Sequence, residues 1–209
     1  MAHYRDRFAA GRTLSGWLDP AQLHDPVILG LPRGGVPVAA EVATALHAPL
    51  DIIVVRKLGS PRNPELALGA IGEGDVRVLN HDVIAAEQVS PEALRRIERT
   101  ERAELQRRAN VLRNRRTPVS LVGRTAVIVD DGMATGASAA VAAQCAREQG
   151  ADGVIVAVPI ASPEAMRLLE NLTDAVICPY VPPLLGGVGA AFEDFHQLTD
   201  TEVVNLLEQ

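Results

Sequence analysis

Five short apolar runs recur along the chain, and stretches with helical periodicity separate them. Most residues in these runs are β-branched or small and apolar, which is typical of strands buried on both faces of a parallel sheet. The predicted strands are residues 27–31, 51–55, 125–129, 154–159 and 175–179. Helices are predicted at residues 4–18, 38–46, 91–115, 139–149, 163–171 and 201–207. This alternation predicts an α/β fold with a doubly wound, mainly parallel sheet flanked by helices.

The longest predicted helix, residues 91–115, is densely charged. Ser90 is suited to cap it, and Pro91 stands at the first helical position. Arginines alternate with glutamates, while an apolar stripe contains Leu94, Ile97, Leu105, Val111 and Leu112. The pattern indicates a peripheral helix with salt-bridged flanks. Contact of its basic half with RNA or DNA is the alternative, which the lack of interleaved aromatic residues does not favour.

Composition narrows the possible classes of protein. The 209 residues, 47% of them hydrophobic and only 3% aromatic, suit one α/β domain with a core of Ala, Val, Leu and Ile. No apolar run has the length of a membrane span, and the first residues lack a signal-peptide pattern, so we expect a cytoplasmic protein. Cys145 and Cys178 form no Cys-x-x-Cys pair and are expected to be reduced and buried. With a net charge of −6, local donors must hold any anionic substrate.

The strand at 125–129 ends in two adjacent carboxylates, Asp130 and Asp131, and a polar loop leads from them into a helix. The loop consists of Gly132, Met133, Ala134, Thr135, Gly136, Ala137 and Ser138. Its glycines allow close approach of a ligand, and the open amides at the helix start favour a phosphate. The carboxylates would repel that phosphate unless they bound another part of the same ligand, such as sugar hydroxyls or a magnesium ion. A ribose 5-phosphate suits both halves.

Two further strand ends carry groups suited to anions. The strand at 27–31 runs into a glycine loop at a helix start, formed by Pro32, Arg33, Gly34 and Gly35. A guanidinium beside exposed amides suits a second phosphate group. The strand at 51–55 ends in two cations, Arg56 and Lys57. Open parallel sheets bind ligands outside the carboxyl ends of their strands, so we expect these groups to converge with the two aspartates on one crevice.

The segment 130–138 behind an apolar strand resembles the phosphoribosyl pyrophosphate (PRPP) signature of the type I phosphoribosyltransferases. It is neither a Walker A loop nor a dinucleotide fingerprint. The resemblance implies that Asp130 and Asp131 hold the ribose 2- and 3-hydroxyls, and that residues 132–138 cradle the 5-phosphate. It implies that residues 32–35 bind the pyrophosphate together with Arg56 and Lys57, which join the two aspartates as the catalytic set. Mg²⁺ is the implied cofactor, held at Asp130 and Asp131 through ligand or water, and a cis peptide is expected near residues 32–34.

The resemblance also implies a flexible lid and a hood around a core of residues 24–180. Residues 59–74 are rich in turn formers and are the predicted lid, with Glu65 or Glu73 as a polar contact. The hood is expected at residues 180–209, with the N-terminal helix. Its candidate acceptor contacts are Val181, Phe192 or Phe195 for stacking, and Glu193 or Asp194 as hydrogen-bond acceptors. A hydrophobic anchor for the last helix is the equal alternative. The strand at 154–159 lacks the lysine that 6-oxopurine enzymes of this family use, so hypoxanthine and guanine are not favoured.

The favoured function is transfer of the 5-phosphoribosyl group from PRPP to a nitrogenous base or related acceptor, with release of pyrophosphate. The expected partners are PRPP, a small-molecule acceptor and a second copy in a homodimer, with no membrane and no nucleic acid. The alternative is a non-catalytic regulator that senses PRPP in the same pocket and contacts nucleic acid through the arginine-rich helix. The pyrophosphate loop and the cationic strand end favour the enzyme.

Overall fold

The main sheet contains the five predicted strand regions, all parallel. The computed structural model describes residues 3–63, 66–74, 76–114 and 116–208. The strands are β1 (Val27–Gly30), β2 (Leu50–Ile52), β6 (Thr125–Val129), β7 (Gly153–Ala157) and β8 (Ala175–Ile177), in the spatial order β2-β1-β6-β7-β8. Every neighbouring pair is parallel. The predicted α/β class with a mainly parallel sheet is therefore confirmed.

Helices cover both faces of this sheet because alternate residues of its central strands point to opposite sides. On one face, Ile28 and Val127 pack with α1 (Arg7–Ser15) and α2 (Gly35–Leu46). On the other face, Leu29 and Ile128 pack with α5 (Ala137–Glu148) and α6 (Pro163–Leu169). The helices are α1, α2, α5 and α6 above, together with α3 (His81–Ala86), α4 (Pro91–Arg113) and α7 (Asp200–Leu207). None of the described helices is long and apolar enough to cross a membrane.

A second, three-stranded antiparallel sheet corrects two predictions. Its strands are β3 (Val55–Gly59), β4 (Ala67–Gly72) and β5 (Arg77–Leu79). The strand predicted at 51–55 is wrong in its end, because the chain leaves the main sheet after Ile52 and residues 55–59 pair with β4 instead. The predicted lid, residues 59–74, includes β4, and this part of it belongs to the core, since Leu68 and Ile71 are fully buried.

The long helix α4 packs against β3 and β4. Ser90 caps it by accepting a hydrogen bond from the Ala93 amide, as its position before Pro91 predicts. Leu105 and Leu112 are buried in the hydrophobic cluster between α4 and the second sheet. Val111 is 42% exposed, so the assignment of Val111 to the apolar stripe is wrong. At helical spacing, residue 109 rather than residue 111 shares the face of 105 and 112.

The C-terminal end of α4 closes a buried ion-pair network. The Arg113 Nε donates to Asp51 Oδ1 at 3.0 Å, and its Nη2 donates to the Ile52 carbonyl at 2.7 Å and to Glu73 Oε2 at 2.9 Å. Burial alone would lower the pKa of Arg113, but the hydrogen bonds and charges of Glu73 and Asp51 raise it above its ordinary value. Glu73 also accepts from the Val54 amide. Glu73 therefore ties the connection between β2 and β3 to α4, and it pairs with Arg113 instead of making the predicted lid or ligand contact. Glu65 lies outside the described residues.

Candidate active site

The loop after β6 is fixed by backbone contacts that leave the start of α5 open. The Met133 amide donates to the Ile160 carbonyl, and Ser162 donates from its amide to Met133 O and from its hydroxyl to Ala134 O. Gly136 stands at φ +74° directly before α5 and offers no side-chain cap. Amides in the first helical turn have no helical acceptor, so they form a site for an anion. Ala134, Thr135, Ala137 and Ser138 are exposed there, as the predicted phosphate cradle requires.

The loop after β1 lies against the two aspartates. A Cβ at Gly34 would lie 2.0 Å from Asp131 Oδ2, and one at Gly35 would lie 2.4 Å from the Val129 carbonyl oxygen. Only glycine allows these close approaches. The peptide bond between Pro32 and Arg33 is cis, which confirms the expectation for this loop. The Leu31 amide donates to Val129 O, so the ends of β1 and β6 are held side by side.

Three adjoining cavities surround these loops. A cavity of about 210 Å³ is lined by Pro32, Asp130 and Ser138. It shares Ser138 with a larger cavity of about 600 Å³ along the second sheet, where Arg56 and Lys57 lie. A third cavity, of about 370 Å³, is lined by Arg33, Gly34 and Asp131 and by residues 195–198. The predicted groups therefore surround one region, although Arg56 and Lys57 project from β3 of the second sheet and not from the end of a parallel strand.

The two aspartates are held in an unfavourable electrostatic state without a ligand. Burial raises the pKa of Asp130 well above its usual range, and the neighbouring Asp131 charge adds to the effect. Burial also raises the pKa of Asp131, although the hydrogen bond and charge of Arg7 act in the opposite direction. The Asp131 amide donates to Asp130 Oδ1 at 2.9 Å, which orients that carboxylate. Hydroxyl donors or a cation at this site would therefore stabilise the ionised forms of the two aspartates, which burial disfavours.

Arg7, at the start of α1, contacts one of the two aspartates. Its Nε donates to Asp131 Oδ2 at 2.8 Å, and its Nη1 donates to the His196 carbonyl at 2.9 Å. The guanidinium carbon lies 3.8 Å from the centre of the Phe195 ring, and only 9% of the side chain is exposed. Arg7 therefore links α1 and the C-terminal segment to the carboxylate of Asp131. Arg5, by contrast, is 73% exposed and pairs with Asp6.

We expect Arg7→Gln to weaken PRPP binding by about tenfold or more and to lower the free energy of unfolding by about 1–3 kcal/mol. Without the guanidinium, Asp131 is buried beside Asp130 with no cation in contact, so its ionised form is less favourable. Calorimetric titration and thermal unfolding measure the two effects. Arg5→Gln is the matched control and should change neither quantity. Wild-type affinity and stability in Arg7→Gln would contradict the role assigned to this pair.

Of the candidate acceptor residues, Phe195 lines the 370 Å³ cavity that contains Asp131, whereas Val181, Phe192, Glu193 and Asp194 line neither cavity that contains an aspartate. Phe192 is 6% exposed and packs with Tyr4 and Ile160, in a cluster that contains no described residue of α7, so it is buried but does not anchor the last helix. Arg7 covers the face of Phe195. The amides of Glu193 and Asp194 donate to carbonyls of residues 4 and 5. Val181 is 39% exposed, so acceptor binding by Val181, Phe192, Glu193 and Asp194 stays a prediction.

Two arginines at this site, Arg7 and Arg108, were not predicted from the sequence. Arg7 lies on a short N-terminal helix, and Arg108 lies on α4, where it lines both cavities that contain the aspartates. The only sequence signal for Arg7 is its spacing of three and seven residues from Ala10 and Leu14, which share its buried face. Arg108 follows Arg107 in a run of similar residues, and nothing in their order distinguishes them.

Comparisons with known proteins agree with this architecture. A family model described as "Phosphoribosyl transferase domain" matches residues 3–179. The chain is 44% identical to TT1426 from Thermus thermophilus, covering 99% of this chain and 98% of that crystal structure, with a TM-score of 0.88. A second structure, the AQ2163 protein from Aquifex aeolicus, is 14% identical with a TM-score of 0.53 over 88% of this chain and 78% of that one, a likeness of fold alone.

The sequence relatives include longer proteins. "Putative phosphoribosyl transferase Rv0571c" from Mycobacterium tuberculosis strain H37Rv is 49% identical over all 209 residues. "Putative phosphoribosyl transferase MT0597" from Mycobacterium tuberculosis strain CDC 1551 has the same identity over the same length. The alignment covers 47% of each, so the chain spans about half the length of these relatives. The family model covers most of the chain, and the aspartates, the phosphate loop and the glycine loop all lie within the matched residues. The chain therefore belongs to the phosphoribosyl transferase domain family.

Proposed function

We propose that this domain transfers the 5-phosphoribosyl group from PRPP to a nitrogenous base or related acceptor and releases pyrophosphate. The observation that carries the proposal is the contact between two loops. The carboxylates of Asp130 and Asp131 lie between the open start of α5 on one side and the glycine loop on the other, with Gly34 touching Asp131. A ribose with phosphate groups at both ends could bind all three: its hydroxyls the aspartates, one phosphate the start of α5, and the other phosphate group the glycine loop.

In this proposal each part of the donor has its own protein groups. Asp130 and Asp131 accept hydrogen bonds from the ribose 2- and 3-hydroxyls, and the amides and hydroxyls of residues 132–138 bind the 5-phosphate. Residues 32–35 with Arg56 and Lys57 neutralise the pyrophosphate, which stabilises charge that develops as the leaving group departs. The anomeric carbon becomes oxocarbenium-like, and an acceptor nitrogen attacks the opposite face with inversion. Positioning and charge stabilisation suffice, so no covalent enzyme intermediate is proposed.

The donor set fits magnesium bound together with its ligand. Among the described residues, no group of three or more His, Cys, Asp or Glu side chains is placed to hold a metal ion by itself. Mg²⁺ commonly binds through one or two carboxylates plus waters and substrate phosphates. Asp130 and Asp131 can supply that share, directly or through water. When bound, the ion would neutralise pyrophosphate charge.

The remaining parts of the proposal concern the acceptor and the exclusion of water. We assign residues 180–209 with α1 as the hood, because Tyr4 and Arg7 tie α1 to residues 192–196 beside the cavity of Asp131. The lid is assigned to the connection between β3 and β4, because the two strands that it joins both line the 600 Å³ cavity. Closure there would shield the reacting carbon from water.

A turnover assay tests the proposed function. PRPP with Mg²⁺ is mixed with the protein and a panel of bases and other nitrogen acceptors, and pyrophosphate release is measured. The expected result is release that depends on one acceptor and on the protein. PRPP binding without release from any acceptor would contradict the transferase and favour the sensing regulator.

One set of contacts supports the transferase over the regulator. Several arginines of α4 pair with glutamates of the same helix: Arg95 with Glu92, Arg102 with Glu98 and Arg107 with Glu104. These charges already have partners along the exposed face, as the peripheral-helix interpretation expects. A nucleic-acid surface would instead require cations available to phosphates.

A further inference from the structure

One arginine of α4 differs from its neighbours in where it points. Arg108 lines the 210 Å³ cavity together with Pro32 and Asp130, and it lines the 370 Å³ cavity together with Arg33 and Asp131. It therefore lies where these two cavities adjoin, beside the glycine loop. The preceding residue, Arg107, points away and makes two hydrogen bonds of 2.7 Å with Glu104.

The surroundings of Arg108 leave its positive charge uncompensated. The side chain is partly buried, and within the described residues it makes no hydrogen bond or ion pair. Burial lowers the pKa of Arg108, the charges of Arg33 and Arg56 lower it further, and Asp200 and Glu104 offset this only in part. Arg33 lies 3.6 Å from Asp200, and Arg56 pairs with Glu101 at 2.7 Å. The three guanidinium groups thus line the adjoining cavities, and Arg108 is the one without a contacting anion among the described residues.

A highly charged anion bound here would compensate the positive charge of Arg108. A guanidinium presents parallel N–H donors that match phosphate oxygens, and a cation on a long helix that is packed against β3 and β4 is held in place before the ligand arrives. The 5-phosphate already has the start of α5. The second phosphate-bearing end of the donor lies, by the assignment above, at the glycine loop that Arg108 borders.

We propose that Arg108 is a substrate-binding residue that contacts the pyrophosphate group of PRPP. The inference rests on the proposed function and adds to it a residue from the arginine-rich helix. Arg108 then acts with Arg33 on the leaving group. The charge of α4 thus serves the active site at this one position, while its other paired arginines stabilise the helix surface.

The test compares Arg108→Gln with Arg107→Gln, a neighbouring arginine that is exposed and paired with Glu104. Calorimetry measures binding of PRPP with Mg²⁺, of pyrophosphate with Mg²⁺, and of ribose 5-phosphate. We expect Arg108→Gln to weaken PRPP and pyrophosphate binding by about tenfold or more and to leave ribose 5-phosphate binding unchanged. Arg107→Gln should match the wild type for all three ligands, and Arg108→Lys should restore part of the lost pyrophosphate affinity.

Thermal unfolding without ligand separates binding from a structural role. Since Arg108 is a partly buried cation with like charges nearby, Arg108→Gln should unfold at or above the wild-type temperature. A clearly lower unfolding temperature in both Arg108→Gln and Arg108→Lys, or equal weakening of all three ligands, would overturn the proposal. If the wild type binds PRPP and Arg108→Gln binds it equally well, only the role of Arg108 fails. If the wild type binds neither PRPP nor pyrophosphate, the proposed function fails and this inference fails with it.

Discussion

The double substitution Asp130→Asn and Asp131→Asn should reduce PRPP affinity by at least about 100-fold while the fold stays intact. Each carboxylate is expected to accept a hydrogen bond from a ribose hydroxyl and to favour the bound magnesium, and an amide supplies neither the charge nor the same acceptors. Titration of PRPP with Mg²⁺ measures the loss, and circular dichroism checks the fold. Asp152→Asn is the control, because this exposed aspartate lies at the opposite end of the sheet, before β7. Unchanged affinity in the double variant would refute the ribose assignment.

The single substitution Asp130→Asn gives a second, thermodynamic result. Because burial and Asp131 raise the pKa of Asp130, the folded protein binds this proton more tightly than the unfolded chain does. The stability from this group is therefore present at acidic pH and is lost as the pH rises through the folded-state pKa. At neutral pH the substitution should raise the unfolding temperature of the ligand-free protein and make it less sensitive to pH. A lower unfolding temperature at neutral pH would show that Asp130 is not strained without ligand.

Arg113→Met should lower the free energy of unfolding by about 3–5 kcal/mol. The substitution removes a cation that is 9% exposed and leaves Asp51 and Glu73 buried without it. Asp51 then keeps its hydrogen bonds from the amides of Ile52 and Val119 but loses its counterion. Urea unfolding measures the change. We also expect the triple variant that adds Asp51→Asn and Glu73→Gln to recover part of the loss.

The surface of the same helix supplies the matched control for Arg113→Met. Arg95 pairs with Glu92 at 2.8 Å, but both side chains are mostly exposed. Exposed ion pairs contribute little, so Arg95→Met should change the unfolding free energy by less than about 1 kcal/mol. Equal effects of the two substitutions would contradict the view that the Arg113 network holds β2, β3 and α4 together.

The main sheet could be predicted from sequence because its central strands are buried on both faces. The run Thr125–Val129 is buried at every position and consists of small or β-branched residues, and the glycine-containing loop after it marks where the strand ends. The second sheet could not be predicted in the same way. Residues 52–55 are Ile-Ile-Val-Val, a continuous β-branched run, and no local signal shows that residues 53 and 54 connect two different sheets.

Glycines and adjacent carboxylates could be assigned to the site from sequence, but long basic side chains could not. The contact between Gly34 and Asp131 follows from local loop chemistry at two strand ends. Arg7 and Arg108 reach the same region from helices that are distant in sequence, and their orientation depends on how α1 and α4 pack. Long charged side chains occur on most helix faces, so a single one carries little information until the packing is known.

Calorimetric titration of the wild-type protein with PRPP, with and without Mg²⁺, tests the central claim most directly. The account predicts saturable binding at one site per chain that is stronger with Mg²⁺ and is lost in the Asp130→Asn, Asp131→Asn variant. An absence of PRPP binding in the presence of Mg²⁺ would contradict the account.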